Sequence, residues 1–142
     1  MPHRLFLRSA VVAILLSLMC AAGIAADTFP FDQELLLDAA PMRPAKRVPI
    51  LTVEANGNAK IDLWCKTVSA RIDISGTAIK IETAPLPEGL PEMRSAGQCT
   101  PERMQADEEL LAAIAQVTGW RRDGGGVVLE GPKALRFRVS DH

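Results

Sequence analysis

Between Val48 and Glu82, apolar and polar residues alternate in short runs, each bounded by residues that favour turns. ILTVE (50–54), entered at Val48, predicts a strand, and Asn56-Gly57-Asn58 then gives the strongest hairpin signal in the chain, because Asn and Gly accept positive φ at little cost. A return strand is expected over Lys60–Cys65, with Ile61, Leu63 and Cys65 on one face and Asp62 and Trp64 on the other. Ala70–Ser75 alternates again, with Ala70, Ile72 and Ile74 inward and Arg71 and Asp73 outward. Ser75-Gly76-Thr77 turns the chain into Ala78–Glu82, where Ile79 and Ile81 point inward. The pattern is a meander of short antiparallel strands with one wet face.

The rhythm then stops. Residues 84–98 (APLPEGLPEMRSAGQ) hold three prolines and two glycines without a usable period. They read either as a solvated excursion or as a binding loop. Thr100-Pro101-Glu102 has the residue types of a helix start: a capping hydroxyl, a proline suited to the first turn and an acid at the positive end of the dipole. A helix is expected over about 101–118, with Asp107-Glu108-Glu109 as a possible second start. Leu110, Leu111, Ile114 and Val117 recur at helical spacing, with Met104 on the same stripe. Gly119 is expected to end the helix, with Trp120 as its apolar contact. Two closing strands follow, Val127–Glu130 and the ALRFRV run, where Leu135, Phe137 and Val139 face in and Arg136 and Arg138 face out. The fold class is α+β: a mostly antiparallel, curved sheet or small partial barrel with one amphipathic helix packed against it.

Compartment enters through the first residues. Arg4 and Arg8 precede an uncharged run, Ser9–Ala26, that closes in the small residues AAGIAA. That order is the pattern of a secretory signal peptide cleaved after Ala25 or Ala26. An uncleaved anchor and a lipidated Cys20 are the alternatives. The chain divides into a signal peptide (1–26), an N-terminal segment and linker (27–47) and a β domain (48–142). In the segment, Phe29, Phe31, Leu35, Leu36 and Leu37 can dock on a core, and PMRPAKR is a proline-broken basic connection.

The whole chain has 16 basic and 17 acidic residues, a formal net charge of −1. Without Arg4 and Arg8 the balance moves to about −3, which gives no reason to expect nucleic acid as a partner. Cys65 and Cys99 then remain, and an even number of exported cysteines is usually paired. A Cys65–Cys99 disulfide is therefore expected, with free thiols as the alternative. After removal of 1–26 the only histidine left is His142, too few donors for zinc and no partner for a nucleophilic cysteine or for Ser69 or Ser95. Neither a cofactor, a metal nor a catalytic residue is expected. Asp62 and Asp73, outward on neighbouring strands, could approach each other, although exposed alternate acids are usually solvation. Arg71, Arg136 and Arg138, all outward, form a basic patch if their strands are neighbours; the plainer reading is that they keep one face wet.

With these elements in order, the chain resembles the META domain family, the HslJ-like module of bacterial envelope proteins, over about Phe31 to Val139. The features that carry the resemblance are the Asn56-Gly57 hairpin, Cys65 ending a strand, Cys99 before the Glu102–Val117 helix, Trp120 and Leu135-Arg136-Phe137. The sequence departs from the family where Lys66 stands in place of an Asn after the first cysteine. It departs again in the run Met93–Cys99, which differs from Thr-x-Met-Ala-Cys. The resemblance implies a single-helix antiparallel β domain of secreted or outer-envelope proteins, linked to stress responses, motility or secretion, and drug resistance, with no agreed catalytic residues. The expected function is that of a non-enzymatic, secreted or periplasmic binding or stress-related envelope module, monomeric, whose partner is an envelope component or another protein. An inhibitor of lysozymes or proteases presenting the 84–98 loop is the alternative. A small-ligand carrier is a third class, which inward Ile and Leu at every strand argue against.

Overall fold

The computed structural model describes residues 28–43, 46–86 and 99–141. The expected signal peptide, residues 87–98 of the long loop and His142 lie outside the described residues. Eight strands run β1 (Glu34–Leu37), β2 (Ile50–Val53), β3 (Asn58–Asp62), β4 (Thr67–Ser75), β5 (Ala78–Thr83), β6 (Gly119–Asp123), β7 (Gly126–Glu130) and β8 (Leu135–Val139), with helix α1 (Pro101–Ala115) between β5 and β6. Each strand pairs antiparallel with the next in sequence, and β1 pairs with β8, so the sheet closes into a barrel.

Closure corrects the expectation of a partial barrel, and two strands absent from the sequence reading bring it about. β1 lies within 27–47, the stretch read as a lead-in to the domain. Its register, Leu35 opposite both Leu51 and Val139, makes it the strand that joins the two ends of the sheet. A four-residue strand offers too short an alternation to be told from a docking segment. β6 begins at Gly119, the residue expected to stop the helix. The helix ends earlier, at Ala115, with Gln116 as its cap. Thr118 then donates its N–H to Glu130 O at 2.9 Å, so the chain enters the sheet at once. Trp120 is accordingly an inward strand residue instead of a helix-end contact, 5% exposed.

Inward alternation fills the barrel. Leu35, Leu51, Val53, Ile61, Leu63, Val127 and Leu129 are each 2% exposed or less, and each contributes about 1.5–3 kcal/mol by burial. Val128 is buried as well; its cross-strand neighbours are Arg121 and Arg136, which both pair with Asp123. The weakest seam is β5–β6, joined through the single pair Ala78–Gly119. The helix packs against β5, and its Leu110 and Ile114, with Val117 just beyond its end, enter the same core as Ile79 and Ile81. Toward the β2–β3 hairpin end, residues 28–32 seal the barrel. Asp32 donates to Val53 O at 2.7 Å, and Phe29 meets Trp120 edge-on with ring centroids 5.3 Å apart.

Two glycines fit where no side chain could. Gly57 has φ +91° in the predicted hairpin, and a Cβ there would lie 2.7 Å from Ile72 O. At Gly126 a Cβ would lie 2.1 Å from Phe137 O, so β7 and β8 approach too closely for any other residue. Gly126→Ala should lower unfolding free energy by more than about 2 kcal/mol in urea denaturation. Gly125→Ala, with open space around it, should stay within about 0.5 kcal/mol of the parent.

Candidate functional site

β3 stops at Asp62, and the alternation expected through Cys65 stops with it: Leu63, Trp64 and Cys65 are buried in succession. From Trp64 to Lys66 the backbone turns so that three consecutive N–H groups converge, a concave arrangement suited to an anion. The anion is the carboxylate of Asp107 on α1. Trp64 N–H donates to Oδ1 at 2.7 Å, Cys65 N–H to Oδ1 and Oδ2 at 3.2 and 3.1 Å, and Lys66 N–H to Oδ2 at 3.0 Å. Asp107 is fully buried, and Arg103, one turn earlier on the same face, is 3% exposed. The Arg103 guanidinium donates to Trp64 O, so helix and loop are joined in both directions.

Local sequence sets this geometry. The Thr100 hydroxyl accepts the Arg103 N–H at 3.3 Å and Pro101 opens the first turn, which fixes the register that puts positions 103 and 107 against the loop. Cys99, just before the cap, is bonded to Cys65, with Cα atoms 5.3 Å apart and a sequence separation of 34. Closing a loop of that length stabilises by ~3–4 kcal/mol in the chain-entropy model. The bond and the carboxylate contacts act on the same four-residue loop.

Burial pushes the Asp107 carboxyl up from the ordinary aspartate range, against the pull of the Lys66, Trp64 and Cys65 N–H groups and of Arg103. Burial likewise lowers the Arg103 guanidinium, helped by repulsion from Arg47 and opposed by Asp107. Arg103 Nε has no hydrogen-bond partner among the described residues. This arrangement anchors the helix to the loop.

Asp107 opens the run that could have made a second helix start; the helix runs through it unbroken. Its inward stripe is Arg103, Asp107, Leu110 and Ile114, with Met104 and Leu111 half-buried beside it and Val117 buried just past the cap. The available signal was the spacing: an opposite-charge pair at i and i+4 continues the apolar stripe.

The condition for an arginine patch, neighbouring strands, is not met. Arg71 is on β4, while Arg136 and Arg138 are on β8, and three strands separate them either way round the barrel. Arg71 donates to Asn58 Oδ1 at 3.0 Å, Arg136 pairs with Asp123, and Arg138 is exposed between Leu36 and Gly126. Asp62 and Asp73 are likewise apart. Asp62 pairs with Thr67 at the start of β4, whereas Asp73 lies near its end, opposite Lys80. Ser69 is exposed with no histidine among the described residues, which also hold no group of three metal-donating side chains. Ser95 lies outside them.

Fold and anchor together define a small, filled, closed β-barrel with one helix packed on β5, beside its weakest seam. No family model matches the sequence, and no curated protein matches it. Among solved structures, the chain is similar to the crystal structure of a DUF4847 family protein from Bacteroides vulgatus, with a TM-score of 0.50 and 12% identity. The match covers 66% of this chain and 60% of that protein, so the likeness is one of fold over part of each molecule.

Replacing Asp107 by Ala strands the buried Trp64 and Cys65 N–H groups, the half-buried Lys66 N–H and the Arg103 charge, and should cost about 3–5 kcal/mol in chemical denaturation. A loss below about 0.5 kcal/mol, the scale of an ordinary surface change, would contradict the anchoring role.

Proposed function

We propose that the chain is an exported, non-enzymatic META-like domain that acts by binding, as a stress-related module of the bacterial envelope. The observation that carries the reading is the Cys65–Cys99 bond joining the helix start to the end of β3. Bonds of this kind persist in oxidising compartments and are rare in the cytoplasm, which agrees with the signal-like residues 1–26. The features behind the META resemblance fall at structural junctions: Gly57 in a hairpin, Cys65 beyond β3, Cys99 before α1, and Trp120 and Phe137 in strands. A barrel filled by its own Leu, Ile and Val leaves recognition to the outer surface and to the loops. No helix of the described residues is long and apolar enough to cross a membrane.

The inhibitor reading keeps one supporting observation, the fixing of the far end of the 84–98 loop to the barrel through Cys99; residues 87–98 of that loop lie outside the described residues. A pull-down from envelope extract distinguishes the readings. Oxidised protein should enrich one envelope component that the Cys65→Ser/Cys99→Ser variant does not. Equal recovery by both, or none by either, would contradict the proposal, and inhibition of a lysozyme or protease at micromolar protein would favour the second reading.

A further inference from the structure

An open cleft of about 360 Å³ lies at the barrel mouth, between α1, the strap after β1 and the β7–β8 turn. Its floor is the Trp64 ring with Leu110 and Leu135, all at most 7% exposed. The rim carries Asp38 from the strap, Glu109 from the helix and Lys133 from the turn. Barrel mouths with an apolar floor and a few convergent polar groups are common binding positions, and this volume is within the usual range.

The charges select the occupant. Among the described residues, Asp38, Glu109 and Lys133 make no ion pair with any group. Glu109 accepts one hydrogen bond from Gln105 Nε2 at 3.0 Å. Arg136 also borders the cleft, but its guanidinium is committed to Asp123. Two unpaired acids therefore face one unpaired base across an apolar floor. The notch is open, so it suits one large side chain of a longer segment better than it suits a free molecule to be engulfed.

The geometry points to a peptide-docking site that takes an apolar side chain flanked by basic residues of a partner protein. The apolar group rests on Trp64, Leu110 and Leu135, the basic groups meet Asp38 and Glu109, and Lys133 is left for a backbone carbonyl. This deepens the binding function proposed above and rests on it. The site also connects to the anchor, because Trp64 supplies the cleft floor with its side chain and binds Asp107 and Arg103 with its backbone.

The test is a titration of ¹⁵N-labelled protein with acetyl-Lys-Leu-Phe-Lys-amide and with acetyl-Glu-Leu-Phe-Glu-amide, followed by NMR. The basic peptide should shift the Trp64 indole N–H and the amides of Ala106, Lys133 and Ala134, and bind at least about ten-fold tighter than the acidic one. Asp38→Asn/Glu109→Gln, both exposed, should abolish that preference while leaving the remaining spectrum unchanged. Shifts confined to other surfaces, no shifts at millimolar peptide, or equal affinities for the two peptides would overturn the site. If the double variant still enriches the envelope component in the pull-down, this site is excluded while the binding function stands. Failure of the parent protein in the pull-down removes the function itself.

Discussion

The structure depends on one carboxylate placed among three backbone N–H groups. Without Asp107, the loop from Trp64 to Lys66 would present consecutive buried donors to an apolar interior, a costly arrangement. With it, the loop becomes a socket and the helix has a defined seat. Burial raises the cost of the charge and the N–H groups offset it, so the anchor requires good geometry. The disulfide and the Thr100 cap supply that geometry by fixing where the helix starts.

The barrel needs this seat because its own hydrogen bonding is thinnest between β5 and β6. A single residue pair joins those strands, and Leu110, Ile114 and Val117 close the core beside them. Were the helix displaced, Ile79 and Ile81 would lose their covering side chains. Closure at the other end is independent, through Phe29 and Trp120. The interior is thus sealed twice, which leaves surface features such as the cleft over Trp64 to meet other molecules.

Much of the fold was legible in the sequence where local chemistry was decisive. The hairpin at Gly57, the turn at Gly76, the Thr100 cap and the alternation of β4, β5 and β8 follow from turn propensity and period. β1 and β6 were not legible, because each is a short run whose identity as a strand comes from the neighbours that closure brings to it. The Cys65–Cys99 pairing followed from cysteine count and the signal-like order of the first residues. Asp107 was hidden for a different reason: an acid followed by two others inside a helical stretch has the residue types of a second helix start. Only a turn in the backbone at Trp64–Lys66, over 40 residues away, makes it a buried anchor. The arginines show the reverse case. Outward direction was readable for Arg71, Arg136 and Arg138, but proximity depends on strand order around a closed barrel.

Amide hydrogen exchange at Trp64, Cys65 and Lys66 tests the central claim most directly. If Asp107 holds these donors, they exchange only when the whole domain unfolds, with protection equal to that of Leu51 and Ile61 in the barrel wall. Exchange as fast as at the exposed hairpin residue Asn56 would mean that the carboxylate does not hold the loop, and that the helix is kept in place by its apolar face and the disulfide alone.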